Sequence, residues 1–379
     1  MKQSIRETVS KGWPSMSRHS TGNLALSVTI RADDVYREYA QDEDPQKLFD
    51  KAAGWIQSMQ NTPMDDHKRD IISEEIDSAM IRAIFGSNMI ERAGLNLDIT
   101  IQLCKKIFAG EDVHEFLERD PDCQQALLAV YSKHHDLSGK SAQFIIRGRS
   151  EIVQHAKAYR YLIHQFVVER EDLSEDLIKK THHILTQGIP IIRKYGPDVQ
   201  PESYGGIYRS LVVGAGNCNF TVPRFIPTKM AEMCSSIKKD LDSAEEKGYI
   251  DPFSIAAKYS LEFVHIHPFG DGNGRICRMI LNTILCRFAG VIVPIGEHDE
   301  ERTEYMRIKK RSSEDMDGHG EYAMFVLKRA TTRLREIKKK IAGKEVLAMR
   351  FKLVRFLDVT RLFYLPGINN DCDTKVNSM

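Results

Sequence analysis

Residues 265–278 read His-Ile-His-Pro-Phe-Gly-Asp-Gly-Asn-Gly-Arg-Ile-Cys-Arg and hold the densest chemistry in the chain. Gly270, Gly272 and Gly274 alternate with Asp271 and Asn273, so successive backbone N–H groups can converge into an anion nest. A helix expected to begin near Arg275 brings the positive end of its dipole to the same spot. Arg275 and Arg278 stand three apart and leave one face of that first turn. Two guanidinium forks and a nest exceed what one monophosphate requires, which points to a di- or triphosphate.

Asp271 inside such a nest would repel phosphate unless a cation bridged them. Mg²⁺ suits that role, because it is held by one or two carboxylates together with phosphate oxygens. His267, next to Pro268 at the other lip, titrates near neutral pH and suits a general base. The string lacks the Gly-Lys-Ser/Thr of a P-loop and the Gly-x-Gly-x-x-Gly spacing of a dinucleotide site. A zinc site on His265 and His267 is disfavoured, since residues two apart diverge on a helix and no third ligand is evident. Asp-Gly and Asn-Gly are also ordinary turn dipeptides. The full ordered string with two in-phase arginines favours the functional reading.

The elements around this loop are helical by pattern. Asp251 as cap and Pro252 at the first position start a helix through Ile255, Tyr259, Phe263 and Ile266. A second apolar helix, Ile276 to Phe288, follows the loop and ends at Gly290. Ile152, Ala156, Tyr159, Ile163, Phe166 and Val167 form one stripe, and Ser174 caps the next helix, which Gly188 and Pro190 close. Helical spacing is also expected over Asp33–Gln60, ended by Asn61-Thr62-Pro63, and over Ile71–Ile84. Leu211-Val212-Val213 and Phe220-Thr221-Val222, with Gly216-Asn217 between them, form the one strong hairpin signal. The run Arg333–Lys340 reads as a solvated helix face. The fold class is mainly α: a helical bundle with a small β-hairpin.

The chain has 379 residues, 54 Lys+Arg against 53 Asp+Glu, and 42% hydrophobic residues. Balanced charge argues against a polybasic nucleic-acid binder, and no nucleic-acid partner is expected. The longest apolar run, Ala289–Ile295, is too short to cross a bilayer, so no membrane partner is expected. Met1–Pro14 lacks an apolar core of the signal-peptide kind. Seven scattered cysteines, never spaced Cys-x-x-Cys, predict reduced thiols and an intracellular, cytoplasmic or nuclear location. Three regions are expected: an N-terminal helical or mobile segment over 1–70, a catalytic domain over 71–340, and a tail over 341–379.

The string at 267–278 resembles the Fic (Fido) motif, His-Pro-Phe-x-Asp-Gly-Asn-Gly-Arg-x-x-Arg, at every defined position. Ser150–Ile163 is similar to the core helix that precedes the motif in that family. Gly206-Ile207-Tyr208-Arg209 through Pro223 is similar to its flap hairpin, and Arg302 and Tyr305 to the segment after the motif helix. The resemblance implies a Fic-type bundle that transfers AMP from ATP to a Ser, Thr or Tyr hydroxyl of a target protein. It implies His267 as the base and Asp271 as the Mg²⁺ ligand. Gly272, Asn273 and Gly274 would cradle phosphates, Arg275 and Arg278 would bind the outer ones, and Tyr305 would join the nucleotide site. The flap residues Cys218, Asn219, Phe220, Thr221 and Val222 would pair with an extended target segment.

The resemblance also implies regulation. Ser87-Asn88-Met89-Ile90-Glu91 is similar to an inhibitory Ser/Thr-x-x-x-Glu helix, placed near 84–95 and upstream of the core. Position 92 is Arg where the family has Gly or Asn. Ser87 and Glu91 would then restrain Arg278, and the same Glu could serve removal of AMP. The leading expectation is a self-inhibited protein adenylyltransferase. The alternatives are an AMP-removing enzyme, or a nucleotide-binding regulatory module with vestigial transferase activity. Target identity and oligomeric state, a homodimer included, stay open.

Overall fold

The computed structural model describes residues 29–36, 44–61, 65–113, 124–125, 128–129, 131, 134–215, 218–314 and 318–342. The expected N-terminal lead-in before Thr29, the hairpin turn Gly216-Asn217 and the tail beyond 342 lie outside them. Among the described residues the chain is built mainly from helices. None is long and apolar enough to cross a membrane.

Two helices carry the motif between them. Helix α7 (Pro252–Ile266) starts at Asp251, whose Oδ1 accepts from the N–H groups of Phe253 and Ser254 at 3.1 and 3.0 Å. Helix α8 (Asn273–Ala289) begins two residues before Arg275 and ends at Gly290, which sits at φ +69. Nearly all of α8 is buried, including Ile276, Ile280, Ile284, Arg275 and Arg278. It is therefore the axis of the core rather than a surface helix.

Other helices surround this pair. Helix α1 (Pro45–Asn61) lays Phe49, Ala52, Ile56 and Met59 into the core at helical spacing, against α10 (Gly320–Ile341). The expected start at Asp33 is not seen: residues 34–35 form a turn after a short strand, and helix begins at Pro45. Helix α2 (Asp66–Ile90) is longer than the spacing suggested and is capped by Asp65. It crosses α3 (Leu97–Ala109), α4 (Ala142–Ile163), α8 and α10. Helix α4 runs on into a π-turn over His164–Val168, and α5 (Glu175–Thr186) opens at Ser174, whose hydroxyl accepts from Leu177 N–H at 3.2 Å. Helices α6 (Ile226–Lys247) and α9 (Asp299–Glu314) complete the bundle.

Strand structure differs from expectation in two ways. Strand β1 (Thr29–Ile30) pairs in parallel with β4 (Tyr249–Ile250), a contact between distant segments too short to leave a periodic signal. Strands β2 (Gly214–Ala215) and β3 (Cys218–Asn219) form an antiparallel hairpin, but with only two residues each. Leu211–Val213 and Phe220–Val222 extend beyond that ladder, because Arg209 and Thr221 hydrogen-bond the motif region instead. The basic run on α10 is also not wholly solvated: Arg333 and Lys340 both pair with the buried Glu75 of α2.

Candidate active site

The loop between α7 and α8 is closed by its own side chains. Asn273 Oδ1 accepts from the Phe269 N–H at 3.0 Å, and its Nδ2 donates to the Phe269 carbonyl at 2.8 Å. The Asn273 side chain is thus spent on shaping the loop. Its backbone N–H, with those of Gly274 and Arg275, opens α8, whose first intrahelical bond runs from Ile276 to Gly272 at 3.0 Å. These are the amides and the dipole end that suit an anion.

His182 of α5, which spacing did not reveal, fixes the loop from below. Its ring stacks on Phe269 with centroids 3.7 Å apart and planes 8° from parallel. Nδ1 accepts from Gly206 N–H at 2.8 Å, so Nε2 carries the proton donated to the Asp271 carbonyl at 2.9 Å. Burial pushes this imidazole down to about 4, which keeps it neutral.

Arg275 is buried and donates from Nη2 to Asp271 Oδ2 at 2.9 Å. The Asp271 side chain is 43% exposed, against 5% for Arg275, so the carboxylate faces outward over a buried counter-charge. Among the described residues no group of three or more His, Cys, Asp and Glu is placed to hold a metal. A lone exposed carboxylate beside a nest fits Mg²⁺ that is shared with phosphate oxygens rather than caged by protein.

Arg278 is also buried and is claimed by the end of α2. Its Nε donates to Ser87 Oγ at 2.8 Å and its Nη2 to the Ser87 carbonyl at 3.2 Å. Nη2 also meets Glu91 Oε1 at 2.5 Å. A Cβ added at Gly274 would lie 2.0 Å from the same Glu91 oxygen, so the carboxylate rests directly on the first turn of α8. It stands where an anion would bind. Only glycine leaves room for it there.

The end of α2 is held by contacts that spacing could not show. Asn88 Oδ1 meets His155 Nδ1 at 2.8 Å in the core, and Glu151 Oε2 accepts from Gly94 N–H at 2.7 Å. Gly86 approaches the 295–297 loop so closely that a Cβ would fall 2.5 Å from the Ile295 carbonyl oxygen. Arg92 lies at φ +55, the left-handed region where Gly and Asn are tolerated and a longer side chain is strained.

His267 terminates α7 in the same left-handed region, at φ +52. Its N–H donates to the Phe263 carbonyl at 3.0 Å, and Nδ1 lies 3.3 Å from the Val264 carbonyl, which places the ring proton on Nδ1 and leaves Nε2 as the acceptor. Phe220 stacks on the ring at 3.8 Å and 13°. Burial lowers the imidazole to about 4; Arg209 assists, and the Val264 contact, Glu91 and Asp271 only partly oppose it. The ring is therefore neutral at pH 7 and able to take a proton.

Arg209 joins hairpin and loop. Its Nε donates to the His267 carbonyl at 2.7 Å, Nη1 to the Leu211 carbonyl at 2.7 Å, and Nη2 to the Thr221 carbonyl at 2.6 Å. Thr221 N–H reaches the His265 carbonyl at 3.4 Å. Phe220 and Thr221 thus lie over the histidine, while Val222 is exposed. Cys218 and Asn219 form β3. Tyr305 of α9 lies in the core beneath Arg278, whose guanidinium carbon is 5.9 Å from the ring centroid, and its hydroxyl is 3.9 Å from Cys277 Sγ.

The family comparison matches where this geometry lies. Residues 172–285 match the Fic/DOC family model, from the start of α5 through most of α8. The chain carries a Fic domain. Protein adenylyltransferase Fic of Drosophila mojavensis is 29% identical over 144 residues, 38% of this chain and 27% of that protein. Protein adenylyltransferase fic-1 of Caenorhabditis briggsae is 29% identical over 173 residues, 45% of this chain and 29% of that protein. The matches therefore span less than a third of these curated relatives. A Fic-domain signalling protein of Bacteroides thetaiotaomicron shares the fold at a TM-score of 0.54 and 18% identity, covering 79% of this chain and 98% of that one. Fic-1 of C. elegans (residues 134–508) gives 0.54 and 18%, covering 79% and 72%. A mainly helical fold is what these Fic proteins share with this chain.

Proposed function

We propose that the chain is a protein adenylyltransferase, restrained by its own Glu91, whose catalytic unit spans residues 71–340. The observation that carries this reading is a neutral, flap-covered His267 beside a helix N-terminus flanked by two buried arginines. The adenylyltransferase names of relatives at 29% identity support it. ATP would lie with its phosphates on the amides of Gly272, Asn273 and Gly274, its outer phosphates meeting Arg275 and Arg278. Mg²⁺ on Asp271 would neutralise phosphate charge. His267 Nε2 takes the proton of a Ser, Thr or Tyr hydroxyl presented along the 218–222 flap. That oxygen bonds to the α-phosphorus as the bond to pyrophosphate breaks. Tyr305 serves from below, as a floor for Arg278.

Glu91 opposes this by occupying Arg278 and the space beside the Gly274 Cα. A charge-assisted bond of this kind contributes roughly 1.5–3 kcal/mol, enough to displace or misplace an outer phosphate. The same exposed carboxylate is what would favour AMP removal as a second activity. The test uses ATP labelled at the α-phosphate. Glu91→Gly protein with Mg²⁺ should label itself or a target protein in an extract, and Glu91→Gly/His267→Ala should not. Label from the γ-phosphate would instead make the chain a phosphotransferase. Tight ATP binding without any transfer would make it a regulatory module.

A further inference from the structure

Lys309 on α9 inverts the usual disposition of a lysine. The residue is partly exposed, yet its Nζ is fully buried and meets no hydrogen-bond acceptor among the described residues. Lysines ordinarily bury the stem and keep the ammonium in water. Here the ammonium lies against the rings of Tyr322 and Tyr305, at 5.2 and 5.9 Å from their centroids. Arg278 stands 5.9 Å from the same Tyr305 centroid, so two cations lie against one ring. Ring faces attract a cation, but they supply no counter-charge.

The groups that face the ammonium come from four helices and the end of a fifth. They are Cys277 and Arg278 of α8, His265 of α7, Tyr305 of α9, Tyr322 of α10, and Glu91 after α2. Glu91 is the carboxylate among them, and it already pairs with Arg278. His265 is neutral, because burial pushes it down to about 4. Two buried cations thus share one carboxylate beside the nest. A polyanionic ligand would be attracted by both, meeting Arg278 and sensing Lys309 through it.

We infer that Lys309 is a third positive charge of the polyphosphate site, a positioning residue that favours the triphosphate over the monophosphate through Arg278 and Tyr305. This rests on the adenylyltransferase reading of the site. Burial lowers the ammonium to about 8, so its charge disappears as pH rises through that value. Affinity for ATP should fall over the same range, and affinity for AMP should not.

Calorimetric titration of the Glu91→Gly protein with Mg²⁺ tests this, using ATP and AMP between about pH 6.5 and 9.5; the range extends below 8 because the Glu91 carboxylate that helps to hold the Lys309 charge is gone. Loss of one buried unit charge from the phosphate site predicts a Kd for ATP weaker by roughly three- to tenfold at the upper end. The Kd for AMP should change by less than about twofold, its charge being smaller and nearer the α8 end. Lys309→Met, or Lys309→Gln should the first fold poorly, should bind ATP weakly with no slope in pH. Lys309→Arg should keep tight binding throughout, because arginine stays protonated. Cys277→Ser should keep the slope. A slope that survives in Lys309→Met, or ATP affinity equal to the parent's at about pH 6.5, overturns the inference while leaving the nucleotide site intact. Absence of ATP binding in the Glu91→Gly parent overturns both.

Discussion

His267 is held with positive φ beneath the ring of Phe220, and both features bear on its chemistry. A non-glycine residue in this region is disfavoured by on the order of 1–3 kcal/mol and persists only where its surroundings fix it; here Arg209 grips its carbonyl. Burial lowers its proton affinity, so the imidazole charges only as pH falls towards 4 rather than near 6.5. The acid limb of kcat/KM should accordingly lie near 4. Phe220→Ala would let water reach the ring and move that limb upward towards 6.5, as a pH–rate series on the Glu91→Gly background would show. A limb unmoved by Phe220→Ala would mean that the stacked ring does not set the environment. Arg92, which is exposed at φ +55, gives a second prediction at this scale. Arg92→Gly should raise unfolding stability by about 0.5–1 kcal/mol, read by chemical denaturation, because glycine occupies that conformation without a Cβ clash.

On the proposed reading, helix α2 would carry the restraint from the core to the site. It is fixed by Asn88 on His155, by Glu75 on Arg333 and Lys340, and by the tight approach of Gly86 to Ile295. Gly86→Val should push the helix off the 295–297 loop and loosen Glu91 from Arg278. Its expected result is transfer activity higher than wild type despite a lower melting temperature, measured by α-label incorporation and thermal unfolding. Lower activity together with lower stability would show that α2 supports the site rather than restraining it. Helix caps such as Asp251, Ser174 and Gly290 were legible in the sequence because caps act within four residues. The motif string was legible for the same reason, since its chemistry is contiguous. The latches on α2 were not, because His155 lies 67 residues from Asn88, and Lys340 lies 265 from Glu75. His182 was equally hidden: in the sequence it is one polar residue on an amphipathic helix, and only the stacked Phe269 shows its use. The hairpin was placed correctly about its turn, but its ladder is shorter because Arg209 and Thr221 turn towards the motif loop.

Across the whole molecule, one core unites the segments on either side of the motif. Phe49 of α1 meets Phe253 at the start of α7 at 5.9 Å, and Asp251 ties back the segment after β1 through Asp33 N–H and the Tyr36 hydroxyl. The early and late helices therefore brace the pair that carries His267 and the nest. A chain nearly neutral in total sets Arg275 and Arg278 in that core and answers them with Asp271 and Glu91. The account rests on that balance: removing Glu91 should free a site already assembled. Mass spectrometry of wild type, Glu91→Gly and Glu91→Gly/His267→Ala, each incubated with ATP and Mg²⁺ in a cell extract, tests this directly. The account predicts AMP joined covalently to a Ser, Thr or Tyr hydroxyl with the Glu91→Gly protein, and little or none with the other two. A Glu91→Gly protein that leaves every hydroxyl unmodified, or that adds phosphate in place of AMP, would contradict it.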